Sequence, residues 1–186
     1  MKRDILLTIK QNKPPFIPLP LMVDHGFADL NTLTVFKENL VASGATYSTC
    51  CSLMNFELAL KNHLGHEKIY SPIGNLCNVH CTTEHGYDDV DAAVYQGTVG
   101  VAENGAIFID LSKEAHRSPL VLVKHLYILI NESSIVDDMY QAYQRISLPF
   151  DYGVFVSGPS KTADIEQCLV IGAHGAKSLE VVIIQT

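Results

Sequence analysis

The sequence has no run of three basic residues, no apolar stretch long enough to span a bilayer and no Cys-x-x-Cys-x-x-Cys run. Each absence removes a class of function. Nucleic-acid binding rests on a clustered basic surface that neutralises phosphates; here the formal charge is −7 over 186 residues, and no nucleic-acid partner is expected. The longest apolar run, Leu120 to Ile130, is interrupted by Lys124 and His125 and falls short of the roughly 20 residues that a membrane helix needs. The N-terminus lacks the apolar core of a secretory leader, so the expectation is a cytoplasmic protein with no membrane association. Iron–sulfur proteins hold their clusters with runs such as Cys-x-x-Cys-x-x-Cys, and Cys50, Cys51, Cys77, Cys81 and Cys168 form none. Their odd number, in a chain large enough to fold without staples, makes reduced thiols the default. His63, His66, Cys77, His80, Cys81 and His85 gather ligand-type side chains in one segment, but no second paired set accompanies Cys77 and Cys81. No metal and no cofactor is expected.

What is present is an apolar fraction of 47%, enough for one domain with a sizeable core. Pro14, Pro15, Pro18 and Pro20 predict an extended arm over residues 1–20, leaving 21–186 as the domain. The arm carries Phe16, Ile17 and Leu19, which suit packing over its own domain or reaching a second subunit. Leu33, Phe36 and Leu40 fall on one helical face before Gly44; Leu53, Phe56, Leu60 and Leu64 do the same after Ser52 and before Gly65. Short β-leaning segments lie between and after them, at 45–50, 68–70, 90–109, 154–156, 168–171 and 181–184, with one or two buried strands in 120–130. Ser134 to Asp137 reads as a capping box opening a helix with Ile135, Met139, Ala142 and Ile146 on its face. Strands alternating with helices at short intervals predict a single-domain α/β fold with a mixed, mostly parallel sheet and helices on both faces.

Two stretches stand out as candidate chemistry. In the first, Val154-Phe155-Val156 breaks into Ser157-Gly158-Pro159-Ser160-Lys161-Thr162-Ala163-Asp164, followed by Gly172-Ala173-His174-Gly175. This reads as a buried strand, a tight turn and a polar turn of helix. The hydroxyls of Ser157, Ser160 and Thr162 and the backbone N–H groups of such a turn can cradle a small anion, or can simply cap their own backbone. Asp164 in the first helical turn opposes the anion and suits orienting Lys161 or meeting a substrate hydroxyl. His174 is placed to act as acid, base or donor, or to be a hydrogen-bonded loop histidine. In the second stretch Glu103-Asn104-Gly105 separates two apolar segments, as a hairpin turn would. Tyr140, Tyr143 and Tyr152 read as core or interface residues.

Residues 157–166, 169–175 and 179–184 resemble the C-terminal signature of the LUD (lactate-utilisation) domain family, in particular its small C subunit in bacterial lactate utilisation. Val101-Ala102-Glu103-Asn104-Gly105-Ala106-Ile107 resembles the family's other signature, with Asn104 where Thr is usual. The resemblance implies a NagB/RpiA/CoA transferase-like fold, shared by glucosamine-phosphate deaminases, ribose-phosphate isomerases and CoA transferases. It also implies a cluster-free accessory subunit in oxidation of L-lactate to pyruvate, binding the other lactate-utilisation subunits, a homodimeric partner, or a small carboxylate or phosphate. Ala102-Glu103-Asn104-Gly105 is similar to the Ser-Glu-Asn-Gly motif that carries the carboxylate nucleophile of family I CoA transferases. The alternative implied is therefore a free-standing enzyme acting on a small acid, its CoA ester or a sugar phosphate. In it Glu103 is nucleophile or base and His174 a second catalytic group. Asn104, Gly105, Ser157, Gly158, Pro159, Ser160, Lys161, Thr162 and Asp164 would form the binding site. That role requires Glu103 to be buried beneath the Gly97–Gly100 segment, and both signatures to meet at the carboxyl ends of strands.

Overall fold

The computed structural model describes residues 2–18, 31–64, 67–73, 76–79, 86–87, 89–114, 116–146, 151–165 and 168–185. The boundary expected at residue 20 lies outside these residues. Lys2–Gln11 form a helix, α1, where extended chain was expected, since the first proline comes only at 14. Phe16 and Ile17 beyond it are 90% and 79% exposed and do not pack on the domain.

Five parallel strands form the main sheet, in the order β1 (Thr46–Cys50), β11 (Ser178–Ile184), β6 (His125–Asn131), β3 (Ala92–Gln96), β2 (Ile69–Tyr70). Its central strands are buried on both sides, as parallel sheets require. One side chain set, Ala92, Val94, Tyr127, Leu129 and Val182, packs against Phe56 and Leu60 of α3 (Leu53–Leu64). The alternate set, Ala93, Tyr95, Ile128, Ile130 and Val181, meets Phe36 and Leu40 of α2 (Thr32–Ala42) together with Ile107 and Ile109. This is the period-two alternation of a strand expressed as two cores.

Ile107 and Ile109 come from a second, mixed sheet, where one sheet was expected. Its order is β7 (Ile135–Val136), β4 (Val99–Val101), β5 (Ala106–Asp110), β8 (Gly153–Val156). The chain leaves the main sheet at Gly97, where a Cβ would stand 2.4 Å from Ile107, and so only glycine permits this approach. The outer face of the mixed sheet, Val101, Phe108 and Val136, packs on α5 (Met139–Arg145) through Ala142. Ile135 is therefore a strand residue paired with Gly100, not a helical one, and the cap of α5 is Asp138, which accepts from the Gln141 amide at 2.7 Å. Pro119–Leu122 form a short helix, α4, in place of the first strand expected in 120–130. Among the described residues no helix is long and apolar enough to cross a membrane.

Asp91 ties the starts of three parallel strands together. Its carboxylate accepts from Lys124 Nζ at 2.8 Å and from the Lys68 amide at 3.2 Å, while its carbonyl accepts from the amides of Lys124 and His125. The Lys124 hydrogen bond first, and the Lys68 amide second, hold its pKa below the ordinary 3.8. A lowered folded-state pKa means stabilisation that is complete above the unfolded value and lost as pH falls through the folded one. Asp91→Asn should therefore lower stability by about 1 kcal/mol at pH 7 in urea unfolding, with the difference from wild type shrinking below about pH 4. A constant difference from pH 7 to pH 3 would refute the assignment.

Candidate functional site

β4 and β8 both run antiparallel to β5, so they point the same way and end at the same edge of the mixed sheet. There the two signature turns touch: Ser157 Oγ donates to the Asn104 carbonyl at 3.0 Å. Asn104 also closes its own turn, its Oδ1 accepting from the Ala106 amide at 2.9 Å. Gly105 has φ +64° and its Cα faces the α2 backbone, where a Cβ would lie 2.9 Å from Leu40 N. Gly158, at φ +73°, meets the end of the same helix, with a Cβ position 2.3 Å from the Ser43 carbonyl oxygen. Asn39 Nδ2 donates to the Ala102 carbonyl at 2.7 Å, and Lys161 Nζ donates to the Ser43 carbonyl. Thus α2 holds both turns in place through backbone contact.

Glu103 is exposed, not buried beneath Gly97–Gly100 as its catalytic role requires. The turn directs its carboxylate to α5, where Oε1 accepts from the Met139 amide at 3.2 Å. The expected polar helix after Ser160 is also absent. Lys161–Ile165 form β9, which pairs antiparallel with β10 (Cys168–Ile171), Thr162 opposite Val170. β-Branched Thr162 and Ile165 suit a ladder, and the hairpin satisfies backbone groups that a single helical turn would leave open. Asp164 accordingly lies in a strand and not at a helix N-terminus.

The cavity beside these turns measures about 620 Å³. Its polar wall is Ser157 to Lys161 of the turn, His174 and Gly175 of the loop before β11, and Arg117 and Ser118 before α4. Pro159 and Gly158 are buried, Ser160 is half-buried, and Lys161, His174 and Arg117 are exposed. Ser160 anchors the His174 loop, its amide donating to the Ala176 carbonyl and its carbonyl accepting from Gly172, both at 2.9 Å. The apolar floor is Leu111, Leu120, Leu126, Val154 and Val156, which border the main core. The cavity opens where β6 and β11 begin, so it borders the amino ends of the parallel strands, not their carboxyl ends.

The cavity carries a definite charge character. Arg117, Lys161 and His174 line it, and no carboxylate is among the described lining residues, although the chain contains 20 acidic residues. The Arg117 guanidinium stacks over the Tyr152 ring, 4.3 Å from its centroid, which fixes the cation while leaving its N–H edge free of any ion pair among the described residues. In the adjoining core, burial pushes the Tyr95 phenol far above its ordinary range; burial first, then the Glu114 carboxylate, does the same for Tyr70. Both phenols stay neutral and add no negative charge. Arg117 was invisible in the sequence: Arg117-Ser118-Pro119 has no motif, and only the fold brings it to Tyr152, which had read as a core or interface residue. Glu103, Asn104 and Gly105 adjoin the turn but do not line the cavity. Thr162 does not line it either, the side chain of Asp164 lies outside the described ones, and of the His/Cys segment only Cys77 has a described side chain, its thiol donating to the Val79 carbonyl.

A five-stranded parallel sheet backed by a mixed sheet, with a cavity lined by Arg117, Lys161 and His174 beside the Ser157–Lys161 turn, defines the chain as an α/β protein. The LUD domain family model matches residues 80–184, which contain both signature turns and every described lining residue of the cavity, and the chain belongs to that family. It is 25% identical to Lactate utilization protein C of Deinococcus radiodurans over 98% of this chain and 95% of that one. To Lactate utilization protein C of Bacillus subtilis it is 36% identical over 41% of this chain, and to that of Geobacillus thermodenitrificans 34% identical over 48%. Those two matches span 35% and 43% of the relatives' own lengths. The crystal structure of a DUF162 family protein from Deinococcus radiodurans shares the fold, with a TM-score of 0.60 and 16% identity over 82% of this chain and 96% of that one.

Gly158→Ala should break the junction, because it combines a left-handed backbone with a clash on the Ser43 carbonyl. A loss of about 2–4 kcal/mol in urea unfolding is expected. A neutral substitution would show that α2 does not fix this turn.

Proposed function

We propose that this protein is a cluster-free accessory subunit of an L-lactate-oxidising system, with a NagB/RpiA/CoA transferase-like fold, and that it binds a carboxylate in the cavity between Arg117 and Ser160. The observation that carries the reading is a cavity with two cationic side chains, Arg117 and Lys161, a histidine and no described carboxylate, inside a chain of net charge −7. The names of the relatives support the lactate context.

The chemistry follows from the wall. A guanidinium offers two parallel N–H donors to the two oxygens of a carboxylate, and its stacking on Tyr152 removes part of the entropy cost of ordering it. Lys161 adds a second charge from the opposite turn, held near Ser43 while two of its N–H bonds stay available. Ser160 places a hydroxyl for a 2-hydroxyl or 2-keto oxygen, and Ser157 Oγ, its proton given to the Asn104 carbonyl, can accept from a 2-hydroxyl. His174 on the exposed rim places an imidazole beside the carboxylate for a hydrogen bond. Glu103, fixed on α5 outside the cavity, has no part in this site and instead braces the turn that carries Asn104.

Calorimetric titration with L-lactate and pyruvate tests the reading. Both should bind, and Arg117→Met should weaken binding at least tenfold, the effect of removing a charge-assisted hydrogen-bond pair, with unfolding unchanged because Arg117 is exposed. Binding that Arg117→Met leaves intact, or that Glu103→Gln abolishes, would overturn it.

A further inference from the structure

The cavity is much larger than lactate, and its two walls differ in chemistry. Lactate has six non-hydrogen atoms, whereas 620 Å³ lies within the roughly 300–1,000 Å³ of sites that enclose drug-sized ligands. A carboxylate held by Arg117 and Lys161 would cover only the polar wall. The half-buried Val154 and Val156 and the exposed Val121 would remain uncovered, in front of Leu111, Leu120 and Leu126, which the main core already buries. β8 builds this floor by alternation. Val154 and Val156 turn towards the main core, while Phe155 between them packs on Phe108 and Tyr143 on the other face. The strand thus presents two branched aliphatic side chains, then runs directly into the Ser157 turn, so apolar floor and polar wall are consecutive residues of one segment.

We propose that the cavity takes an amphipathic monocarboxylate, its carboxylate on Arg117 and Lys161 and a hydrocarbon body of about eight carbons along the Val154–Val156 floor. This rests on the carboxylate site proposed above and adds the apolar half of the ligand. A charge-only site would be satisfied by any small anion, and an apolar-only groove by any hydrophobe. The union of the two in one cavity selects a molecule with both ends, and each methylene laid on the floor adds the transfer free energy of an apolar group leaving water.

A chain-length series separates the possibilities. Butyrate, hexanoate and octanoate, with octanol and L-lactate as controls, are titrated into the full chain by calorimetry, and into Arg117→Met. Affinity should rise about three- to fourfold per methylene from butyrate to octanoate. Octanol should bind at least tenfold more weakly than octanoate, and Arg117→Met should weaken octanoate tenfold while leaving octanol unchanged. Equal affinities along the series, with lactate binding as well as octanoate, would overturn the amphipathic ligand and leave the small-carboxylate reading standing. Octanol binding as tightly as octanoate would overturn it as a mere greasy surface. No binding by any of the acids would overturn both readings.

Discussion

Helix α2 presses its backbone against two left-handed glycine turns, and the site depends on that contact. Gly105 meets α2 at Asn39 and Leu40, and Gly158 meets its end at Ser43; neither position leaves room for a side chain. The helix itself is held by Asn31, whose side chain caps it, by Thr32 donating to Asp137, and by Phe36 and Leu40, both fully buried. α2 packs on the main sheet with one face and on the turns of the mixed sheet with its C-terminal half, so it holds those turns against the main core. Burial thus fixes a helix, the helix fixes two turns, and the turns fix Ser157 to Lys161 opposite Arg117 and His174.

The charge character of the cavity is also a product of arrangement more than of composition. The chain is acidic as a whole, and four of its described carboxylates engage elsewhere: Asp91 on Lys124, Glu103 on the α5 amide, Asp138 on the α5 cap, Asp110 on the Ser112 amide. Among the described residues, the polar side chains of the cavity wall are Arg117, Lys161, His174 and the serine hydroxyls. Coulombic attraction in a cleft with an apolar floor is screened less than on open surface, so a small number of cations there outweighs a larger, dispersed negative charge in deciding what binds.

Much of this was legible in the sequence where local periodicity and tertiary packing agree. Leu33, Phe36 and Leu40 before Gly44, and Leu53, Phe56 and Leu60 after Ser52, marked α2 and α3 correctly, and the Glu103–Gly105 turn met the Ser157 turn as expected. It failed where distant partners decide. Thr162–Ile165 carries helix-compatible polar residues, yet β10 offers it a ladder. Ile135 and Val136 fit a helical stripe, yet β4 pairs with them. Residues 99–110 and 153–156 read as strands, but nothing local says that they form a sheet of their own and do not join the parallel one. The exposure of Glu103 and the role of Arg117 were hidden for the same reason, since both depend on α5 and Tyr152, which are distant in sequence.

The central claim is that the anion site is the Arg117–Ser160 cavity and not the Glu103 turn. Amide chemical-shift mapping by NMR during titration with pyruvate tests it most directly. The account expects perturbations concentrated at residues 117–118, 157–161 and 174–176, with Glu103 and the first turn of α5 unmoved. Perturbations centred on Glu103, Asn104 and Met139, with the cavity residues silent, would contradict it.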